Sequence, residues 1–150
     1  NFLVDNNSSK FNAGKVLHKK GACNNCHFYG EIFPIQAADT WAPNLAMTKS
    51  RLRPEWVVRW LDNPGDIMPG TKMPAPFIPS SKSISSKNAI EKWGQDLINL
   101  NADRELMLEA LRDYIYTIQG EHDISKIVND YFKLHGYDFT PEEEFEEEEW

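Results

Sequence analysis

Cys23-Asn24-Asn25-Cys26-His27 decides how this chain is read. It is a C-x-x-C-H run, the attachment sequence for a covalently bound haem. Two thiols three positions apart lie on one side of a helical turn, where each can form a thioether to one vinyl group of a single porphyrin. The histidine that follows then turns its imidazole towards the iron. The chain holds two cysteines in all, so this run accounts for both. The competing assignments are a disulfide, half of a zinc site, or a redox C-x-x-C. Zinc needs four ligands, and a second cysteine pair is absent. A redox C-x-x-C belongs beside a βαβ pattern, and none is visible. Cys23, Cys26 and His27 are therefore the first candidate site residues, with one covalent haem c as the expected cofactor.

Further along stands Asn63-Pro64-Gly65-Asp66-Ile67-Met68-Pro69-Gly70-Thr71-Lys72-Met73. It resembles the methionine loop of class I cytochromes c, whose pattern reads N-P, then P-G-T-x-M. The resemblance implies that Met73 is the sixth iron ligand. A neutral thioether opposite histidine favours ferrous iron and raises the reduction potential. Met68 is the rival ligand. For Met68, Met47 and Met107 the expected role is core filling.

Ala42-Pro43-Asn44-Leu45 is similar to the family's G-P-N-L segment, with Ala42 where many relatives carry glycine. The resemblance gives the Pro43 carbonyl a role: it accepts a hydrogen bond from Nδ1–H of the ligating histidine, fixing the ring and strengthening it as a donor. Standing by itself, the segment would be an ordinary turn. Trp60 holds the position before L-x-N-P where the family often places an aromatic against the haem on the methionine side. Arg51 and Arg53 can pair with haem propionates, since guanidinium matches carboxylate geometry. They can equally be a solvated surface pair.

Bulk properties agree with a small globular domain. At 150 residues and 41% hydrophobic content, one domain with a core is expected. No apolar run of 18 residues occurs, so no spanning helix is expected. The chain opens at Asn1 in a polar stretch without a signal peptide, consistent with a mature or trimmed chain. The net charge is −7, yet eight of the 23 acids lie after Leu134, where Lys and Arg are absent. That leaves 15 acids against all 16 basic residues in the body. No basic stripe with interleaved aromatics points to nucleic acid.

The resemblance covers residues 8–119 and implies an all-α fold of helices wrapped round one haem. Residues 1–7 are a polar segment. A first helix capped by Ser8 or Ser9 runs towards Lys20, with Phe11, Val16 and Leu17 apolar. Its Gly14 resembles the glycine at which the family's first helix crosses its last. His18 is expected to pack or face solvent, not to bind iron. Pro54 to Leu61 forms a short helix, 75–90 a long connection, and Glu91 to Asn99 a helical turn. The last family helix is expected from Asp103 to Gly120, with Met107, Leu111, Tyr114, Ile115 and Ile118 on one stripe. Residues 120–150 add a helix from Asp123 to Leu134, ended by Gly136, and an acidic tail whose Phe139, Phe145 and Trp150 would anchor it on a basic partner surface.

Two filled axial positions imply outer-sphere electron transfer rather than enzymatic chemistry. The expected partners are redox proteins, met either by a soluble shuttle or by a cytochrome subunit of a redox complex. The contrasting reading is a gas sensor or haem enzyme with a labile methionine. Covalent haem in this family implies a location outside the cytoplasmic membrane, in the periplasm or its equivalent.

Overall fold

The structure is a computed structural model, and it describes residues 2–137. Among these residues it is helical, with no strand. Two isolated β-bridges join His27 to Ala42 and Tyr29 to Ile32. The helices are α1 (Ser9–Gly21), α2 (Thr48–Arg51), α3 (Pro54–Asp62), α4 (Pro64–Ile67), α5 (Ser81–Ile84), α6 (Ala89–Trp93), α7 (Gln95–Ile98), α8 (Arg104–Ile115) and α9 (Ser125–Leu134). No described helix is long and apolar enough to cross a membrane.

Local chemistry sets the helix ends. Ser8 caps α1 by accepting from the Phe11 amide at 3.1 Å, which satisfies one of the free first-turn donors. Asp103 caps α8 in the same way through the Leu106 amide. Pro54 opens α3, where its missing N–H costs nothing. Gly94, at φ +79°, divides α6 from α7, so the turn expected around Trp93 is two short helices.

The frame is the crossing of α1 with α8. Ala13 and Leu17 from α1 and Met107, Leu108, Ala110, Leu111 and Ile115 from α8 are all buried. Val57 and Leu61 of α3 close one side of this core, and Trp93 and Leu97 close another. Gly14 sits at the crossing itself. A Cβ there would stand 1.9 Å from the Ala110 carbonyl oxygen, so only glycine lets the two backbones meet. Arg112 of α8 ties in α3, bonding Asp113 at 2.9 Å and the Pro54 carbonyl at 3.3 Å.

Several expectations need correction. α8 ends at Ile115 rather than Gly120; Tyr116 caps it and residues 117–120 are not helical. Asp123 does not cap α9: Ile124 holds that position, and Asp123 instead accepts from the amide and hydroxyl of Ser125. The first residues carry more structure than their polarity implied. Phe2 packs edge-on against Tyr116 with the Arg112 guanidinium over its ring. Met68 is not core filling; it is 57% exposed. Residues 138–150, including Phe139, Phe145 and Trp150, lie outside the described residues.

Gly14→Ala is expected to destabilise the fold by about 3 kcal/mol or more, at the upper end of the cost of overpacking, because the obstruction is backbone. Thermal or denaturant unfolding measures this, and a loss below roughly 1 kcal/mol would show that the helices part easily.

Candidate functional site

The site begins where α1 stops. Ala22 follows the helix in the left-handed conformation, at φ +51°. That conformation costs a non-glycine residue roughly 1 kcal/mol and turns the chain sharply into a 3₁₀ turn at Cys23–Asn25. The His27 amide returns to the Cys23 carbonyl at 2.9 Å. Cys23, Cys26 and His27 are thereby gathered on one compact turn. Both cysteines are free thiols and partly buried. Burial is the main cause raising the Cys23 pKa above its usual value.

His27 is held from one side. Its Nδ1 lies 2.6 Å from the Pro43 carbonyl oxygen. A carbonyl only accepts, so Nδ1 carries the proton and donates it. Nε2 then keeps its lone pair, and it makes no hydrogen bond among the described residues. Burial is the main cause lowering the His27 pKa and favours the neutral ring; the bond to Pro43 opposes it in part. The loop that brings Pro43 here is fixed by the Ala42 amide on the Cys26 carbonyl at 2.8 Å and the Leu45 amide on the Phe28 carbonyl at 2.9 Å.

Met73 and Trp60 form a second pair. The Trp60 indole N–H donates to the Met73 sulfur at 3.0 Å. Trp56 stacks on Trp60, with ring centroids 5.4 Å apart and an angle of 13°. Met73 is partly buried against the core cluster with both tryptophans. Its place in the chain is fixed locally, since its amide donates to the Thr71 hydroxyl at 3.3 Å. No hydrogen bond joins this pair to the His27–Pro43 pair. Arg51 and Arg53 are exposed. Neither guanidinium makes an ion pair with a described residue.

Three features at the site have little signal in the sequence. His18 is buried and its Nε2 is hydrogen-bonded to the Tyr29 hydroxyl at 2.8 Å, with the Tyr114 ring 4.6 Å away. Trp93 has a buried indole N–H without a hydrogen-bond partner among the described residues. Phe77 stacks on its ring, and the Lys20 and Lys92 ammonium groups lie 5.5 and 5.2 Å from it. Asn44, inside the A-P-N-L segment, is buried.

Among the described residues no group of three or more His, Cys, Asp or Glu side chains could hold an ion. Two free thiols and one imidazole oriented through Nδ1 share the Cys23–His27 turn, and the Met73 thioether stands apart with Trp60. Comparison of the chain with protein-family models, with curated proteins and with solved structures finds no match.

The environment of His18 has a pH consequence. Burial first, and His27 second, lower its pKa from 6.5 to about 4. The unfolded chain therefore takes up a proton that the folded chain refuses between those two values. Stability is unaffected by this group above about pH 6.5 and falls as the pH drops towards 4, by up to about 3 kcal/mol. Replacing His18 by Phe should flatten that part of the stability curve; an unchanged acid limb would mean that His18 is protonated in the fold.

Proposed function

We propose that this chain is a class I cytochrome c that carries single electrons through one covalent haem. The orientation of His27 supports this most directly: Nδ1 donates to Pro43, and Nε2 is left open beside two free thiols. In this reading Cys23 and Cys26 hold the porphyrin through thioethers, and His27 and Met73 supply the axial ligands. When bound, the haem supplies a one-electron Fe(III)/Fe(II) couple.

The residues of the chain set the properties of that couple. The Pro43 carbonyl draws on the Nδ1 proton and makes Nε2 a stronger donor. The Trp60 N–H acts on the other side in the opposite sense. By occupying a sulfur lone pair it weakens Met73 as a donor to the ferric state, which raises the potential. The same bond limits rotation of the thioether. The apolar cluster of Trp56, Trp60 and Leu61 beside Met73 excludes water, which disfavours the additional charge of ferric haem. With His27 and Met73 both holding the iron, no open coordination site would remain for enzymatic chemistry. Redox proteins outside the cytoplasmic membrane are the partners this reading implies, met as a shuttle or within a larger complex.

The exposure of Met68 sharpens the choice of sixth ligand. A side chain 57% open to solvent is a poor candidate beside one held by an indole. Met73→Ala should lower the reduction potential by on the order of 0.1 V or more, within the roughly 0.8 V that axial ligation governs. It should also let the reduced protein bind carbon monoxide rapidly. Met68→Ala should do neither, and the reverse pattern would assign the ligand to Met68. Trp60→Phe keeps the ring and removes the donor; a lower potential with the methionine still bound is expected, and an unchanged potential would show that the N–H···S contact has no electronic effect.

A further inference from the structure

Residues 120–134 lie beyond the helix pair that frames the core, yet they grip the loop that orients His27 at two points. The first grip is the Asn44 side chain, which is 6% exposed. Its Oδ1 accepts from the Gly30 amide at 2.8 Å and the Ala46 amide at 3.1 Å. Its Nδ2 donates to the Gly30 carbonyl at 3.3 Å and to the Glu121 carbonyl at 3.2 Å. All four hydrogen-bonding positions of one buried amide are thus used. The chain passes close enough for the last of these because Gly30 and Gly120 meet backbone to backbone. A Cβ on Gly30 would lie 2.6 Å from the Gly120 Cα, and one on Gly120 would lie 2.5 Å from the Gly30 Cα. Both glycines have positive φ.

The second grip is aromatic. Tyr131 of α9 packs on Phe33 at 5.3 Å and on Trp41 at 5.2 Å, and Phe132 packs on Trp41 at 5.6 Å. Trp41 and Phe33 both pack on Phe28, which follows His27 directly. Trp41 itself precedes Ala42, the residue bridged to His27.

Pro43 stands between these grips. It is exposed and has no N–H with which to anchor itself. Its carbonyl direction is therefore set by its neighbours, Ala42 and Trp41 on one side and Asn44 on the other. The geometry points to Asn44 as a positioning residue for the iron-binding histidine, with the C-terminal extension acting through it and through Trp41 as a strap that fixes the Pro43 carbonyl. The extension is then a working part of the histidine side of the site. This inference rests on His27 being the axial ligand, but its mechanical content concerns the Nδ1–H···O bond alone.

That bond supplies the test. The readout is the exchange rate of the His27 Nδ1 proton with solvent, followed by NMR on the full chain as purified, relative to the exchange of the Leu17 amide in the core. Asn44→Ala should speed Nδ1 exchange at least tenfold without an equal change at Leu17. Tyr131→Ala leaves the amide hub intact and should give a smaller increase, several-fold, in the same ratio. Lys126→Ala, on an exposed part of α9, should leave it unchanged. In the haem-loaded protein the two active substitutions should also raise the reduction potential, since a looser Nδ1 bond makes Nε2 a weaker donor. Equal acceleration at Leu17 would reduce Asn44 and Tyr131 to general stabilisers and overturn the inference. So would an unchanged ratio in both variants. The absorption spectrum of the same wild-type sample reports covalent haem separately: its absence would remove the ligand reading, while the exchange ratio would still decide the strap.

Discussion

The hydrogen bond from His27 Nδ1 to the Pro43 carbonyl, at 2.6 Å, is the constraint on which the rest depends. It settles the tautomer, the ring plane and the availability of Nε2 in a single contact. An imidazole free to rotate would expose either nitrogen, and its basicity would follow the solvent. Here the partner is backbone, so it cannot titrate away. Everything nearby serves to place the two atoms: the left-handed Ala22 that ends α1, the Cys23–Asn25 turn, and the bridge between His27 and Ala42.

The Met73–Trp60 pair follows a different logic. Met73 is placed by a loop with little regular structure and is restrained by a side chain, Trp60, at 3.0 Å. A thioether is a weak hydrogen-bond acceptor, so the contact orients more than it binds. The two tryptophans of α3 give this side an apolar wall anchored to the α1–α8 frame through Val57 and Leu61. One pair is thus fixed by backbone and the other by packing, and under the proposed function each would hold its ligand in place through changes in iron charge.

Much of this was legible in the residues. Period-3.6 stripes and capping residues located α1, α3 and α8, because burial and end-satisfaction are local properties of a helix. The resemblance implied Gly14 as a crossing point, and the close approach to Ala110 gives the reason. The Nδ1 contact was implied by the resemblance of the A-P-N-L segment to class I cytochromes c; the segment alone reads as an ordinary turn. What the sequence did not carry were the contacts between distant segments. Nothing near residue 44 announces Glu121, 77 positions away, and nothing near Trp41 announces Tyr131. The end of α8 was placed too late because Gly120 has the look of a stop signal; its function is to lie against Gly30. Met68 was assigned to the core on residue type, whereas the turn after α4 leaves it in solvent. The arginines had no geometric signal, and the structure gives them no partner among the described residues.

The most direct measurement is the intact mass of the purified chain, produced in cells able to attach haem to C-x-x-C-H, with and without Cys23→Ala and Cys26→Ala. The expected result is a chain heavier by one haem that survives denaturation, with this mass lost when both cysteines are replaced. A polypeptide of bare mass, or one lighter by two hydrogens through a Cys23–Cys26 bridge, would contradict the haem assignment and with it the electron-transfer role.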